Sequence, residues 1–265
     1  MLVLDLDGVV TDPHSGAVNS SVLAVVIADL KRGVPVAFNT GRTLDWVEGN
    51  ILPVLSAACL PRELELLCVV GEKGGVIGRI ERGSLLFALD ASLNPPADFK
   101  HAVRELVEDP AGPYAFAMFW DALKRTMISI ERRPEVSVAE FQAVRKPLID
   151  DLQRLLTEYN LPHFKIDPTV VATDIQHEAA GKHLGAEHIL IWLEKQGIAP
   201  STFTAVGDSP SDAAMAEVFA AVAPTIFVFV GDPATYHKPD SANYTAVITG
   251  GGYAADTATY LAEQA

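Results

Sequence analysis

The chain has 265 residues, of which 49% are hydrophobic and 20% are charged, and its mean hydropathy is +0.22. A chain with this share of hydrophobic residues can bury a full core, so the composition excludes an intrinsically disordered protein. The net charge of −14 at pH 7 argues against nucleic acid or an anionic membrane as the main partner, since both are bound through basic surfaces.

The first 71 residues alternate between predicted strands and helices. Residues 2–6 (LVLDL) form an apolar strand, a helix follows from Ser20 and ends at Gly33, and residues 34–39 (VPVAFN) form a second strand. A helix around 43–57 then leads to a third strand at 64–71 (LELLCVVG). This alternation is typical of an α/β fold with a Rossmann-like parallel sheet.

The middle of the chain, residues 79–175, has a different pattern. Looser strands at 79–89, 114–120 and 125–131 are combined with amphipathic helices near 97–109 and 137–158. We therefore predict an α+β domain over 79–175, inserted into a parallel-sheet domain made of 1–78 and 176–265.

The alternating pattern resumes in the last third of the chain. Residues 184–196 form a helix, 203–206 a strand, 211–222 a helix and 225–231 another strand, and a last helix starts near Tyr253. The apolar run that includes 225–231 contains Pro224 and is shorter than the roughly 20 residues that a membrane-spanning helix needs. We predict no signal peptide, because the apolar start lacks a basic region and is interrupted at Asp5.

The two cysteines, Cys59 and Cys68, have no metal-binding spacing. We interpret them as buried thiols in a reducing compartment and expect a cytoplasmic protein, with a disulfide as the less favoured alternative.

Polar residues follow several of the predicted strands, where open α/β sheets bind ligands. Asp5 and Asp7 interrupt an apolar strand, and alternation along a strand predicts that both lie on the same side at its end. Buried carboxylates are costly unless something pairs with them, and two converging carboxylates suit a hard cation such as Mg²⁺. A carboxylate can also attack phosphorus while its neighbour moves a proton.

Three further clusters complete the set. Thr40 and Gly41 follow the second strand and could hold phosphate oxygens through a hydroxyl and a backbone N–H. An ammonium at Lys182 would neutralise negative charge, while Asp208 could complete a metal's ligands and Asp212 could orient its waters or Lys182. Taken singly, Thr40 could merely cap a helix, Lys182 could be a solvated lysine, and the loop at 207–212 could be a turn with an N-cap.

Together and in this order, the clusters resemble the haloacid dehalogenase superfamily of phosphotransferases, whose pattern is DxDGxxxD, a Thr after the second strand, a Lys, and GDxxxD. Asp5 to Asp12 and Gly207 to Asp212 match the first and last motifs. Because the insert lies between Thr40 and Lys182, the layout resembles the branch with a C2-type cap, which includes Cof-like sugar phosphatases, sucrose-phosphate phosphatase and phosphomannomutase. The segment GEKGGVI at 71–77 resembles the entry to the cap in the mannosyl-phosphoglycerate phosphatase and phosphomannomutase groups.

The resemblance implies a role for each matching residue. Asp5 would be the nucleophile that forms an aspartyl-phosphate, and Asp7 the general acid and then the general base. Thr40, the Gly41 amide and Lys182 would hold the phosphoryl group. Mg²⁺ would be bound by Asp5, the main-chain carbonyl of Asp7 and Asp208, with Ser211 and Asp212 around it; relatives often carry Asn at the position of Ser211. His183 follows Lys182 where many relatives have Gly, and Lys195, at the far end of the same predicted helix, is a poorer candidate for the lysine.

The cap would select the substrate, with Lys124 and Arg125 as the favoured candidates among its basic residues for a second anionic group.

We therefore predict a Mg²⁺-dependent phosphomonoesterase that hydrolyses a small phosphorylated metabolite, with a sugar phosphate as the favoured class. The alternatives are a phosphomutase with the same nucleophile and a non-catalytic sensor of a phosphorylated metabolite. A dehalogenase is disfavoured because Asp7 supplies the acid and metal site that phosphoryl transfer uses. We expect a monomer or homodimer, with neither nucleic acid nor a membrane as partner.

Overall fold

The computed structural model describes residues 1–264 and divides them into two compact units. The core unit consists of Met1–Ala88 together with the chain from Gly181 onward, and the inserted unit is Leu89–Ala180. Residues 79–88 were predicted to begin the insert, but their strands extend the sheet of the core unit.

The helices and strands are numbered in chain order. The strands are β1 Leu2–Leu4, β2 Val36–Asn39, β3 Leu67–Gly71, β4 Val76–Glu81, β5 Ser84–Leu89, β6 Met118–Trp120, β7 Ile128–Arg132, β8 Phe164–Pro168, β9 Ala172–His177, β10 Phe203–Gly207, β11 Thr225–Phe229 and β12 Thr245–Ile248. The α-helices are α1 Ser20–Lys31, α2 Leu44–Asn50, α3 Leu52–Ala58, α4 Pro61–Leu64, α5 Ala97–Glu108, α6 Val138–Glu158, α7 Lys182–Gln196, α8 Ala213–Ala220 and α9 Ala254–Glu263.

The core unit is built on an eight-stranded sheet with the order β12-β11-β10-β1-β2-β3-β4-β5. The strands from β12 to β3 are parallel, and β4 pairs antiparallel with β3. Strand β1 lies at the centre, where Leu2 is in register with Val36 on one side and Thr204 on the other. A central strand covered on both faces is expected to be apolar throughout, and β1 is fully buried. The prediction of a parallel α/β sheet is confirmed.

Two hydrophobic cores cover the two faces of this sheet. Leu2 and Leu4 point to one face, where they pack with residues of α1–α4 and α9, whereas Val3 points to the other face and packs with α7 and α8. Both cysteines are buried free thiols, one of them on each face.

The inserted unit has a four-stranded antiparallel sheet with the order β6-β7-β9-β8. Its core is formed by residues of α5, α6 and the sheet, among them Phe99, Phe141, Ile128 and Ile175. Helix α6 begins with a capping box in which Ser137 and Glu140 bond to each other's backbone N–H groups. Over residues 1–264, no helix is both long enough and apolar enough to cross a membrane.

Candidate active site

Asp5 follows directly after the central strand β1 and is only 7% exposed. Its backbone N–H donates to the Val206 carbonyl at 3.0 Å, which continues the pairing of β1 with β10. The side-chain Oδ1 accepts the backbone N–H of Leu6 at 2.6 Å and lies 2.6 Å from Nζ of Lys182. The parallel sheet therefore holds the Asp5 side chain at the carboxyl ends of the strands. Its Oδ1 is already bonded to Leu6 and Lys182.

Asp7 lies in the loop after Asp5, and its carboxylate is turned towards Arg42. Strand β1 ends at Leu4, and Gly8, which directly follows Asp7, turns the chain with a φ of +71°. That Asp5 and Asp7 lie on the same side at the strand's end stays a prediction. A Cβ at Gly8 would lie 2.2 Å from Oδ2 of Asp208, so only glycine lets this loop approach the loop after β10.

Lys182 is the first residue of α7, and its side chain is buried against β2. Its Nζ lies 2.6 Å from Asp5 Oδ1 and 2.9 Å from Asp212 Oδ1, and it donates to the Asn39 carbonyl at 2.7 Å. In return, the Asn39 amide donates to the Lys182 carbonyl at 2.8 Å. This two-way bond ties the end of β2 to the start of α7. Asn39 was not predicted as a site residue, although an Asn that ends an apolar strand was a signal that could have identified it.

The loop after β10 is shaped by Asp212, whose side chain is fully buried. Its Oδ2 accepts the backbone N–H groups of Asp208 and Ser209 at 3.1 and 2.9 Å, and the Ser209 hydroxyl at 2.9 Å. The Ser211 hydroxyl lies 2.7 Å from that of Ser209. Asp212 thus holds the loop that presents Asp208 while its other oxygen faces Lys182.

Thr40 and Gly41 form the turn after β2. Thr40 is buried, its N–H donates to the Val70 carbonyl at 2.9 Å, and its hydroxyl oxygen accepts the Arg42 backbone N–H at 3.1 Å. A hydroxyl held in this way can still donate its own proton. The turn therefore offers a fixed hydroxyl group.

Arg42 is a second residue that sequence analysis did not assign to the site. Its Nε lies 2.9 and 3.1 Å from the two carboxylate oxygens of Asp7, its Nη2 lies 2.5 Å from Oδ1, and its guanidinium stacks 4.0 Å from the Trp46 ring. A planar guanidinium bonded to both oxygens fixes the orientation of a carboxylate. The sequence signal for Arg42 was a basic residue next to Thr40 and Gly41 in the loop after β2, which lies beside the loop after β1 that carries Asp7.

Asp5, Asp208 and Asp212 form an acidic cluster, in which one carboxylate oxygen from each residue lies within 4.8 Å of the others. Lys182 is the cation in ion-pair contact with two of them. Burial raises the pKa of Asp5 to about 8 despite the attraction of Lys182, and burial together with Asp212 raises the pKa of Asp208 to about 6. Burial acts to lower the pKa of Lys182, but Asp212 and Asp5 outweigh it and the pKa is raised.

Three carboxylates converge here and Lys182 is in ion-pair contact with two of them, so the cluster, when ionised, carries more negative charge than Lys182 balances. Converging carboxylate oxygens with excess negative charge are what a hard divalent cation prefers, so this cluster fits Mg²⁺.

The two basic residues predicted to contact the substrate, Lys124 and Arg125, lie between β6 and β7 of the inserted unit. Both are half-buried, and the Arg125 carbonyl accepts a hydrogen bond from Lys100 Nζ at 2.7 Å. Their role in substrate binding stays a prediction.

No model of a protein family matches the sequence, and no curated protein matches it significantly. Solved structures do match. A haloacid dehalogenase-like hydrolase from Bacteroides thetaiotaomicron has a TM-score of 0.62 at 14% identity, covering 100% of this chain and 98% of its own. Trehalose-6-phosphate phosphatase from Aspergillus fumigatus has a TM-score of 0.51 at 16% identity, with coverages of 100% and 93%.

Sucrose-phosphatase from Synechocystis has a TM-score of 0.51 at 14% identity, and the match covers 98% of this chain and 97% of that one. Identities this low establish likeness of fold alone. The matches nevertheless extend over both units of the chain. The chain therefore has the haloacid dehalogenase-like hydrolase fold that its sequence motifs predict.

Proposed function

We propose that this chain is a Mg²⁺-dependent phosphomonoesterase that hydrolyses a small phosphorylated metabolite of the sugar phosphate class through an aspartyl-phosphate on Asp5. One observation carries the proposal: a buried carboxylate at the end of the central strand lies 2.6 Å from a buried lysine, inside a cluster of three carboxylates. The trehalose-6-phosphate and sucrose phosphatases with this fold support a phosphorylated sugar as the substrate class.

Asp5 is the nucleophile in this proposal. Its Oδ1 is bonded to the Leu6 N–H and to Lys182, so we assign the attack on phosphorus to Oδ2. A bond forms between Oδ2 and phosphorus as the bond from phosphorus to the ester oxygen breaks. Lys182 opposes the negative charge of both the carboxylate and the phosphoryl oxygens.

Asp7 is the proton carrier. It donates a proton to the departing ester oxygen, and it then accepts one from the water that attacks the aspartyl-phosphate, which releases inorganic phosphate and free Asp5. The bidentate contact with Arg42 holds the Asp7 carboxylate in one orientation.

The phosphoryl oxygens are held by the Thr40 hydroxyl, the Gly41 N–H and Lys182 in this proposal. Asp5, the Asp7 main-chain carbonyl and Asp208 would hold Mg²⁺, with Ser211 and Asp212 orienting its waters. When bound, the cation supplies positive charge that favours approach of an anionic phosphate to an acidic cluster. In this proposal the inserted unit selects the substrate, with Lys124 and Arg125 as candidate contacts.

Phosphate release from p-nitrophenyl phosphate and a panel of sugar phosphates, with Mg²⁺ and with EDTA, tests the proposal. We expect Mg²⁺-dependent release that falls by about 10³-fold or more in Asp5→Asn, because the nucleophile is lost. Asp109→Asn is the matched control: the Asp109 carboxylate lies in the inserted unit and accepts the Ala111 N–H within its own turn, so activity should stay within about threefold of wild type.

Full turnover by Asp5→Asn would overturn the proposal. An isomerised sugar phosphate in place of free phosphate would identify a phosphomutase instead. Binding of a sugar phosphate without release at saturating Mg²⁺ would identify a sensor.

A further inference from the structure

Strand β5 forms an exposed edge of the eight-stranded sheet. It is the last strand in the sheet order, and within residues 1–264 no further strand pairs with it beyond β4. Five of its six residues are exposed to solvent. The exposed fractions of Leu86, Phe87 and Leu89 are 40%, 48% and 44%. An edge of this kind offers a row of backbone groups for pairing with another strand.

The sequence of β5, SLLFAL, lacks the devices that normally protect a sheet edge. The strand contains neither proline nor any charged residue, although the whole chain has 34 acidic and 20 basic residues. Solitary edge strands usually carry such residues because they prevent pairing between molecules. An apolar, uncharged edge on a strongly acidic protein therefore indicates a surface that is covered by another strand.

We propose that two copies of this chain pair through β5, antiparallel and about a two-fold axis, so that their sheets become continuous. The charges at the ends of the strand define the register. Arg82 lies in the tight turn before β5, and Asp90 follows the strand in extended conformation. When β5 is laid against a reversed copy of itself with Leu86 on the axis, Arg82 of each copy comes level with Asp90 of the other.

This register is favourable along the whole strand. Leu86 faces Leu86 of the second copy, Ser84 faces Ala88, and an Arg82–Asp90 pair closes each end. Cross-strand apolar pairs and opposite charges both stabilise antiparallel strands. The edge is positive at one end and negative at the other, so it is complementary to itself when reversed.

Of the two ways in which β5 could pair with a second copy of this chain, pairing with itself is the simpler. Self-pairing of β5 closes at two subunits, whereas pairing β5 with the opposite edge strand, β12, would join copies head to tail in a ring or an open filament. Strand β12 also has only four residues against six in β5.

Cysteine cross-linking tests both the dimer and its register. Leu86→Cys places a thiol on the proposed axis, whereas Ile248→Cys, 45% exposed on β12 at the opposite edge, is the matched control. Cys59 and Cys68 are buried, so they should add little background. We expect wild type to have twice the 28.4 kDa chain mass by light scattering, and oxidation to cross-link only the Leu86→Cys dimer.

A wild type that is monomeric at every concentration, or equal cross-linking of both variants, would overturn the proposal. Mass and cross-linking are read without any activity, so they can fail independently of the proposed phosphatase function.

Charge reversal tests the end pairs. Arg82→Asp or Asp90→Arg alone should raise the dimer dissociation constant about tenfold, and the double variant should restore it. A double variant as weak as either single one would overturn the register. Because Asp90 also accepts bonds from Ser92, circular dichroism checks folding, and the two cysteine variants decide the question if a charge variant unfolds.

Discussion

Replacing the nucleophile candidate with its neutral isostere, Asp5→Asn, should make the metal-free protein more stable at neutral pH. Asp5 is buried with two other carboxylates, and burial raises its pKa from 3.8 to about 8. Asparagine can keep an oxygen for the Leu6 N–H and for Lys182, both of which contact one oxygen of Asp5. The variant thus removes a costly charge without removing these two hydrogen bonds.

The sign and size follow from proton linkage. A carboxyl with a higher pKa in the folded than in the unfolded chain holds its proton more tightly when folded, so its ionisation costs stability as the pH rises from about 4 towards 8. Between pH 4 and pH 7 this cost grows by at most about 1.4 kcal/mol per pH unit, which sets a ceiling of about 4 kcal/mol. We expect Asp5→Asn to gain about 2–4 kcal/mol at pH 7 and almost nothing at pH 4.

Urea unfolding in EDTA at pH 4, 5, 6 and 7 measures this difference. Asp12→Asn is the control of opposite sign, because hydrogen bonds from Ser15 lower the pKa of the exposed Asp12 carboxyl. Its ionised form stabilises the fold at neutral pH, and that stabilisation is lost as the pH falls through its lowered pKa. A gain that is absent, or independent of pH, in Asp5→Asn would refute our reasoning about the cluster.

Three further changes probe the rest of the site. Lys182→Met should cost about 3–5 kcal/mol in urea unfolding at pH 8 and less at pH 5, because Asp5, whose pKa is raised to about 8, can then take up a proton; an equal loss at both pH values would contradict this. Gly8→Ala should lower stability and weaken Mg²⁺ binding in calorimetry, whereas Gly33→Ala, with φ of +80° and open space around it, should cost only about 1 kcal/mol and spare binding. Arg42→Met should reduce kcat about tenfold or more and leave KM nearly unchanged, because the Asp7 carboxylate loses the bidentate contact that orients it; an unchanged kcat would exclude Arg42 as a positioning residue.

The position of the candidate site was predictable from the sequence because the topology was. Once strands alternate with helices, the residues after β1, β2 and β10 must meet at one edge of the sheet, and Asp5, Thr40 and Asp208 were identified from that rule, from the chemistry of their side chains and from the resemblance of their motifs to a known superfamily. The spacing of apolar residues was also sufficient to predict both helices of the inserted unit, α5 and α6.

Side-chain directions and local turns could not be predicted in the same way. The turn at Gly8, which brings the loop after β1 against Asp208, depends on a positive φ that alternation along a strand does not describe. The start of the inserted unit was placed too early because a hairpin at 76–89 reads the same whether it belongs to one sheet or the other. The contact between Arg42 and Asp7 joins residues 35 positions apart, beyond the reach of any local pattern.

The hydrogen bonds between Asn39 and Lys182 have a consequence for how the protein folds while it is being synthesised. They join residues that are 143 positions apart. Strand β1 likewise pairs with a distant segment, β10, which begins at Phe203. During synthesis the central strand therefore has an open side until β10, Phe203–Gly207, has been made, which is after the whole inserted unit has been made up to Ala180. Such distant pairings fold slowly, so we expect the nascent amino-terminal part to depend on shielding of its apolar strands until the last third arrives.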